Sequence, residues 1–145
     1  MKFFTAAIAL AVAAVANATG AYVPFTDCAP GSDLTVSTLY LDPYPICVGQ
    51  DVCATITGSL IHDVTAPSTL TIIGTYFGVT VYSQSLDSCS LVSCPVSKDT
   101  TSITFCIPVL STAPAGIAVD LTISATNGDG DTLFCGAFTT TAASC

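Results

Sequence analysis

Apolar and small polar residues alternate with a period of two through most of this chain, and that pattern restricts what it can fold into. In Ser102–Val109, the residues Ile103, Phe105, Ile107 and Val109 share one face. In Ile117–Ala125, Ile117, Val119, Leu121 and Ile123 oppose Asp120, Thr122 and Ser124. Val52–Ile61 sets Val52, Ala54, Ile56 and Leu60 against Thr55, Thr57 and Ser59. Successive side chains of a strand point to opposite faces, so each run has an apolar face to bury. Leu34–Leu41, Leu70–Phe77, Val79–Ser83 and Thr132–Thr140 complete seven such runs. Asp42-Pro43-Tyr44-Pro45 reads as the stop of the first run, and Asn127-Gly128-Asp129-Gly130-Asp131 as a hairpin turn before the last. No segment holds a helical period beyond two turns. The expectation is an all-β chain, a β-sandwich of about seven strands in two sheets.

Charge narrows the function. Only 8% of the residues are charged, against roughly 25% in an average soluble domain. All ten acids are Asp; Glu, Arg and Trp are absent, and there are one His and two Lys. A nucleic-acid binder needs clustered bases to neutralise phosphates, so that class is excluded. Coiled coils need Glu, Lys, Arg and Leu, and a disordered acidic tail does not reach 51% hydrophobic residues.

Residues 1–18, MKFFTAAIALAVAAVANA, read as a secretory signal peptide. Lys2 is the charged start, Phe3–Val15 the apolar stretch, and Ala16-Asn17-Ala18 the small-x-small cleavage site. The stretch is short of the roughly 20 apolar residues of a membrane span. Cleavage leaves residues 19–145 as one domain, with Lys98 its only base against ten Asp, a formal charge of −9. The protein is expected outside the cell, or in a vacuolar or lysosomal lumen, without a stable membrane anchor.

The eight cysteines, Cys28, Cys47, Cys53, Cys89, Cys94, Cys106, Cys135 and Cys145, all lie after the leader. An even number in a secreted domain points to four disulfides. A single His and no paired C-x-x-C motifs argue against zinc. Catalysis finds little support either. His62 is the only base available to a serine hydrolase, and there is no G-x-S-x-G elbow. The His62-Asp63 pair reads as an exposed loop. The scattered Asp residues look like turn formers, and Asn127–Asp131 is too short for an EF-hand and lacks its distal Glu. No enzyme activity, cofactor or metal is expected. The inner faces are aliphatic and aromatic, with Gly58 and Gly74 among them. They fill a core, or a splayed sandwich leaves a dry cavity that takes a hydrophobic ligand.

Three segments carry a family resemblance. They are Leu39–Val64 (LYLDPYPICVGQDVCATITGSLIHDV), Cys89–Val109 (CSLVSCPVSKDTTSITFCIPV) and Pro114–Phe138 (PAGIAVDLTISATNGDGDTLFCGAF). In order and spacing they resemble the ML-domain lipid-recognition family. Its members include mite group 2 allergens, the lysosomal Niemann-Pick sterol carrier and fungal phosphatidylglycerol/phosphatidylinositol transfer proteins. The resemblance implies an immunoglobulin-like sandwich with a lipid between its sheets, and disulfides Cys28–Cys135 and Cys89–Cys94. For the other four cysteines the preferred pairing is Cys47–Cys53 with Cys106–Cys145. The alternative is Cys53–Cys106 with Cys47–Cys145, because Cys53 and Cys106 share the polar faces of strands that would be antiparallel neighbours.

Strand alternation, set in the two-sheet arrangement of that family, nominates ten lining residues. They are Ile56, Leu60, Leu70, Ile72, Tyr76, Phe105, Val119, Leu121, Ile123 and Phe138. The expected partner is a hydrophobic lipid. A sterol is preferred, with phospholipid or fatty acid as further candidates, because phosphoryl headgroups favour Arg forks or Lys clusters. The competing expectation is a structural or interaction protein without a ligand cavity. A third is a ligand-presenting partner of an unnamed receptor.

Overall fold

The computed structural model describes residues 19–145. Residues 1–18, where the signal peptide is expected, lie outside the described residues. The seven alternating runs form the long strands: β3 (Leu34–Tyr44), β4 (Asp51–Leu60), β5 (Thr69–Tyr76), β6 (Val79–Asp87), β7 (Ser102–Pro108), β8 (Ala118–Thr126) and β9 (Thr132–Thr141). Two short strands precede them, β1 (Thr19–Tyr22) and β2 (Thr26–Asp27), and one helical turn, α1 (Ser88–Leu91), follows β6. A strand of two or four residues has too few alternations to be read from sequence.

All pairing is antiparallel within two sheets, ordered β1-β3-β4-β7 and β2-β9-β8-β5-β6. The sheets bury their apolar faces against each other, through Leu39, Leu41, Val52 and Ile56 on one side and Leu70, Ile72, Phe134 and Phe138 on the other. This is an immunoglobulin-like β-sandwich. The segment between β1 and β2 passes from one sheet to the other and closes that flank.

Two departures from the expected pattern lie in β3. Its pairing with β4 slips between Val36 and Thr38. The extra residue, Ser37, keeps both Val36 and Leu39 facing inward. The slip lays the Thr35 carbonyl against Gly58, where a Cβ would collide with it. The strand also runs past Leu41 to Tyr44, through the expected stop. Pro43 falls opposite an irregularity in the β1 pairing, where a missing N–H disrupts no regular ladder.

The disulfides are Cys28–Cys135, Cys89–Cys94, Cys53–Cys106 and Cys47–Cys145. The preferred Cys47–Cys53 and Cys106–Cys145 pairs are therefore corrected to the alternative. Cys53 and Cys106 are direct partners across β4 and β7, with Cα atoms 3.9 Å apart. After β9 the chain returns parallel to Ile46–Val48. Ala143 N–H donates to Ile46 O at 2.8 Å and Val48 N–H to Ala143 O at 2.9 Å, which delivers Cys145 to Cys47. In the chain-entropy account a cross-link over a hundred residues stabilises by about 4–5 kcal/mol, and one over five by about 2 kcal/mol.

Polar chemistry gathers at the end where β4 leaves its sheet. Asn127 is buried and hydrogen-bonded through both side-chain heteroatoms. Its Oδ1 accepts from Thr65 and Gly128 N–H, and its Nδ2 donates to Asp63 O. Asn127 N–H donates to Asp131 O at 2.8 Å, closing the expected hairpin turn. His62 Nδ1 lies 2.9 Å from Asp33 Oδ1 while its ring is 65% exposed. The hydrogen bond and charge of Asp33 hold the imidazole above its ordinary value of 6.5. A raised value means that the pair stabilises the fold fully below pH 6.5, and that this contribution fades as pH rises through the folded value.

Two outcomes are expected. Peptide mapping of non-reduced protein should recover a Cys53–Cys106 peptide and a Cys47–Cys145 peptide; a Cys47–Cys53 loop would contradict the register of β4 and β7. In an NMR titration the single imidazole should protonate with a midpoint above 6.5, and Asp33→Asn should lower it. A wild-type midpoint at or below 6.5 would remove the pair as a pH-dependent contact.

Candidate functional site

The inner faces do not close completely. Between the sheets lies a cavity of about 90 Å³. One wall is Val36, Leu39, Leu41, Val52, Ala54, Ile56, Phe105 and Ile107. The other is Leu70, Ile72, Tyr82, Val119, Leu121, Ile123, Phe134 and Phe138. Ile46, Val109, Ala113, Pro114 and Ala142 also line it, the middle three from the segment after β7. A smaller cavity of about 40 Å³ extends toward α1, lined by Leu34, Val64, Leu91, Val92, Val96 and Ile103 among others. Ile56, Leu70, Phe105 and Phe134 line both, so these four side chains separate two chambers of one apolar space.

Small residues help to open the space. Ala54 and Gly136 lie on the wall. The wall has no charged side chain, and only Tyr82 and Thr140 carry a side-chain heteroatom. At the roughly 30 Å³ that each water takes up in the liquid, the main chamber has room for about three waters. Two hydroxyls cannot satisfy them, so the space favours an apolar occupant.

The two flanks of the sandwich differ. Among the described residues no backbone hydrogen bond joins β6 to β7, the facing edges of the two sheets. Side chains bridge them instead. Gln84 Nε2 donates to Pro108 O at 3.3 Å, and Tyr82 OH donates to Gln84 Oε1 at 2.6 Å. Burial pushes the Tyr82 phenol above its ordinary value of 10, opposed by a backbone hydrogen bond at Leu110. Widening this flank breaks only side-chain contacts, each worth about 1 kcal/mol net.

Eight of the ten nominated residues lie on the wall: Ile56, Leu70, Ile72, Phe105, Val119, Leu121, Ile123 and Phe138. Two lie elsewhere. Leu60 is buried opposite Leu34 at the far end of β4 and lines neither chamber. Tyr76 is 39% exposed at the end of β5, past a slip in the β6 pairing, with its ring 4.5 Å from that of Phe77. Val52, Ala54, Ile107 and Val109 were legible as inner-face positions from the alternation but were not nominated. Phe134, Gly136 and Thr140 follow from Phe138 by the same period. Phe25, Ala113 and Pro114 come from loops and carry no periodic signal.

Elsewhere, His62 and Asp33 resemble part of a hydrolase triad, but among the described residues no hydroxyl is hydrogen-bonded to the imidazole. No group of three or more His, Cys, Asp or Glu among the described residues is placed to hold a metal.

The ML-domain family model matches residues 22–142. A comparison with curated proteins gave no significant match. Among solved structures, a Niemann-Pick type C2 protein from Japanese carpenter ant is similar at 18% identity and a TM-score of 0.62, over 82% of this chain and 98% of that one. Chicken MD-1 complexed with lipid IVa is similar at 18% identity and a TM-score of 0.57, over 79% of this chain and 85% of that one. At such identity these two likenesses speak to the fold. With a two-sheet sandwich, an apolar space between its faces and a match across nearly all the described residues, the chain belongs to the ML-domain family.

Proposed function

We propose that this protein is a secreted, non-enzymatic carrier that holds one hydrophobic lipid between its two sheets. The observation that supports this best is the wall of the cavity, which is apolar apart from two hydroxyls and carries no charge. Membership of the ML-domain family and the lipid IVa bound by the similar chicken MD-1 point the same way. The leader and four disulfides support an oxidising, extracellular setting.

A sterol or another weakly polar lipid fits better than a phospholipid. Phosphate burial needs a cation or several donors. Residues 19–145 have no Arg, and Lys98 lies with Asp63 at the polar end, its N–H on the Asp63 carboxylate. A chamber of about 90 Å³ is smaller than a whole sterol requires, so uptake includes parting of the β6 and β7 edges. Gln84 and Tyr82 then act as the clasp that releases and re-forms.

A second reading is favoured by the β5–β6 hairpin tip. Phe77 is 89% and Val79 65% exposed, an apolar surface suited to contact with another protein. Under that reading the protein carries no ligand.

The experiment is mass spectrometry of an organic extract, paired with binding of a fluorescent sterol. Stoichiometric lipid in the extract is expected. Leu121→Phe should fill the chamber at an overpacking cost of about 1–3 kcal/mol. It should weaken sterol binding at least tenfold, about 1.4 kcal/mol. An empty wild type that also ignores the sterol would favour the second reading, and unchanged affinity in a well-folded Leu121→Phe would move the ligand out of the intersheet space.

A further inference from the structure

Thr139, Thr140 and Thr141 end β9, and the middle one alone is buried, at 4% exposure. Thr139 Oγ1 donates to Asp120 Oδ1 at 2.6 Å on the outer face. Thr140 lies on the inner face opposite Val119 and lines the main chamber; its Oγ1 has no hydrogen-bond partner and is covered in the closed chamber, so an incoming group reaches it only as the chamber widens. The other hydroxyl on this wall, that of Tyr82, is engaged by Gln84. A buried hydroxyl left unpaired destabilises a fold, and Val would occupy nearly the same volume without that cost. Packing therefore gives no reason for Thr at this position, whereas a polar atom arriving with a ligand does.

We propose that Thr140 is the polar anchor of the chamber, and that its Oγ1 hydrogen-bonds the hydroxyl or carbonyl oxygen of an uncharged lipid with a single polar end. This rests on the carrier reading above and sets the ligand's orientation. The polar end lies by Thr140 and Val119, and the hydrocarbon runs past Phe105 and Phe134 toward the smaller chamber. A carboxylate or phosphate is disfavoured there, because no cation lines the wall and a buried unpaired charge costs far more than a hydroxyl. Ser88 Oγ is also unpartnered and lines the smaller chamber, but it belongs to a partly exposed residue on α1. It is the anchor that would reverse the orientation.

The test compares cholesterol with 5α-cholestane, the same ring system without the hydroxyl, each displacing a fluorescent sterol from full-length secreted protein. Wild type should prefer cholesterol by about tenfold or more. Thr140→Val should bind cholestane as wild type does, lose the preference for cholesterol, and melt no lower than wild type when empty. Thr140→Ser should keep the preference. Retention of the full preference in Thr140→Val would overturn the anchor, as would its loss in Ser88→Ala alone. Wild type that binds both compounds equally also contradicts the anchor while leaving the carrier reading intact. Wild type that binds neither overturns the carrier reading and the anchor with it.

Discussion

The burial of one apolar sheet face against another governs this molecule. Each long strand offers a stripe of aliphatic and aromatic side chains that water disfavours, and the facing sheet is the surface available to cover it. Charge then segregates outward and to one end, where Asp33, His62, Asp63, Lys98 and Asn127 bind one another and nearby backbone. Inside, small residues at Gly136 and Ala54 leave the faces short of full contact. The same force that makes the sandwich thus makes its cavity suitable for an apolar guest.

An incompletely filled core costs stability, and the cross-links compensate. At about 24 cal/mol per Å³, a cavity of about 90 Å³ costs roughly 2 kcal/mol. One long-range disulfide contributes about 4 kcal/mol or more in the chain-entropy account, and three of the four span 53 to 107 residues. Their placement also bears on motion. Cys53–Cys106 ties β4 to β7 within one sheet, and Cys28–Cys135 holds the chain after β2 to β9 within the other. None of the four disulfides joins β6 to β7, so no cross-link holds the flank spanned by Gln84 and Tyr82 shut.

Much of this was legible in the sequence, for a physical reason. β4, β7 and β8 run for 10, 7 and 9 residues with one face turned inward, and burial writes itself as alternation. Ile56, Phe105, Leu121 and Ile123 were readable as wall residues because nothing interrupts their strands. The alternation fails where the ladder does. A bulge at Ser37 shifts the parity of β3 and hides Leu39 and Leu41, and Tyr76 keeps the inward parity of β5 but lies past the last covered layer. Leu60 lies outside both chambers for a different reason, since period two tells which face a residue occupies and not how far along the strand the cavity extends. The pairing of Cys47 with Cys145 depends on a parallel return of the C-terminal segment that has no sequence signature.

The central claim is that a lipid occupies the space between the sheets. Methyl NMR with a nitroxide-labelled sterol tests it most directly, because broadening by the spin label falls off steeply with distance. The methyls of Ile72, Leu121, Ile123 and Val52 line the chamber, whereas those of Ile61, Val79 and Val81 are exposed. The account predicts strong broadening of the first set at one sterol per protein, with the second set spared. Broadening confined to Val79, Val81 and the hairpin tip would place the sterol on the outside and contradict it.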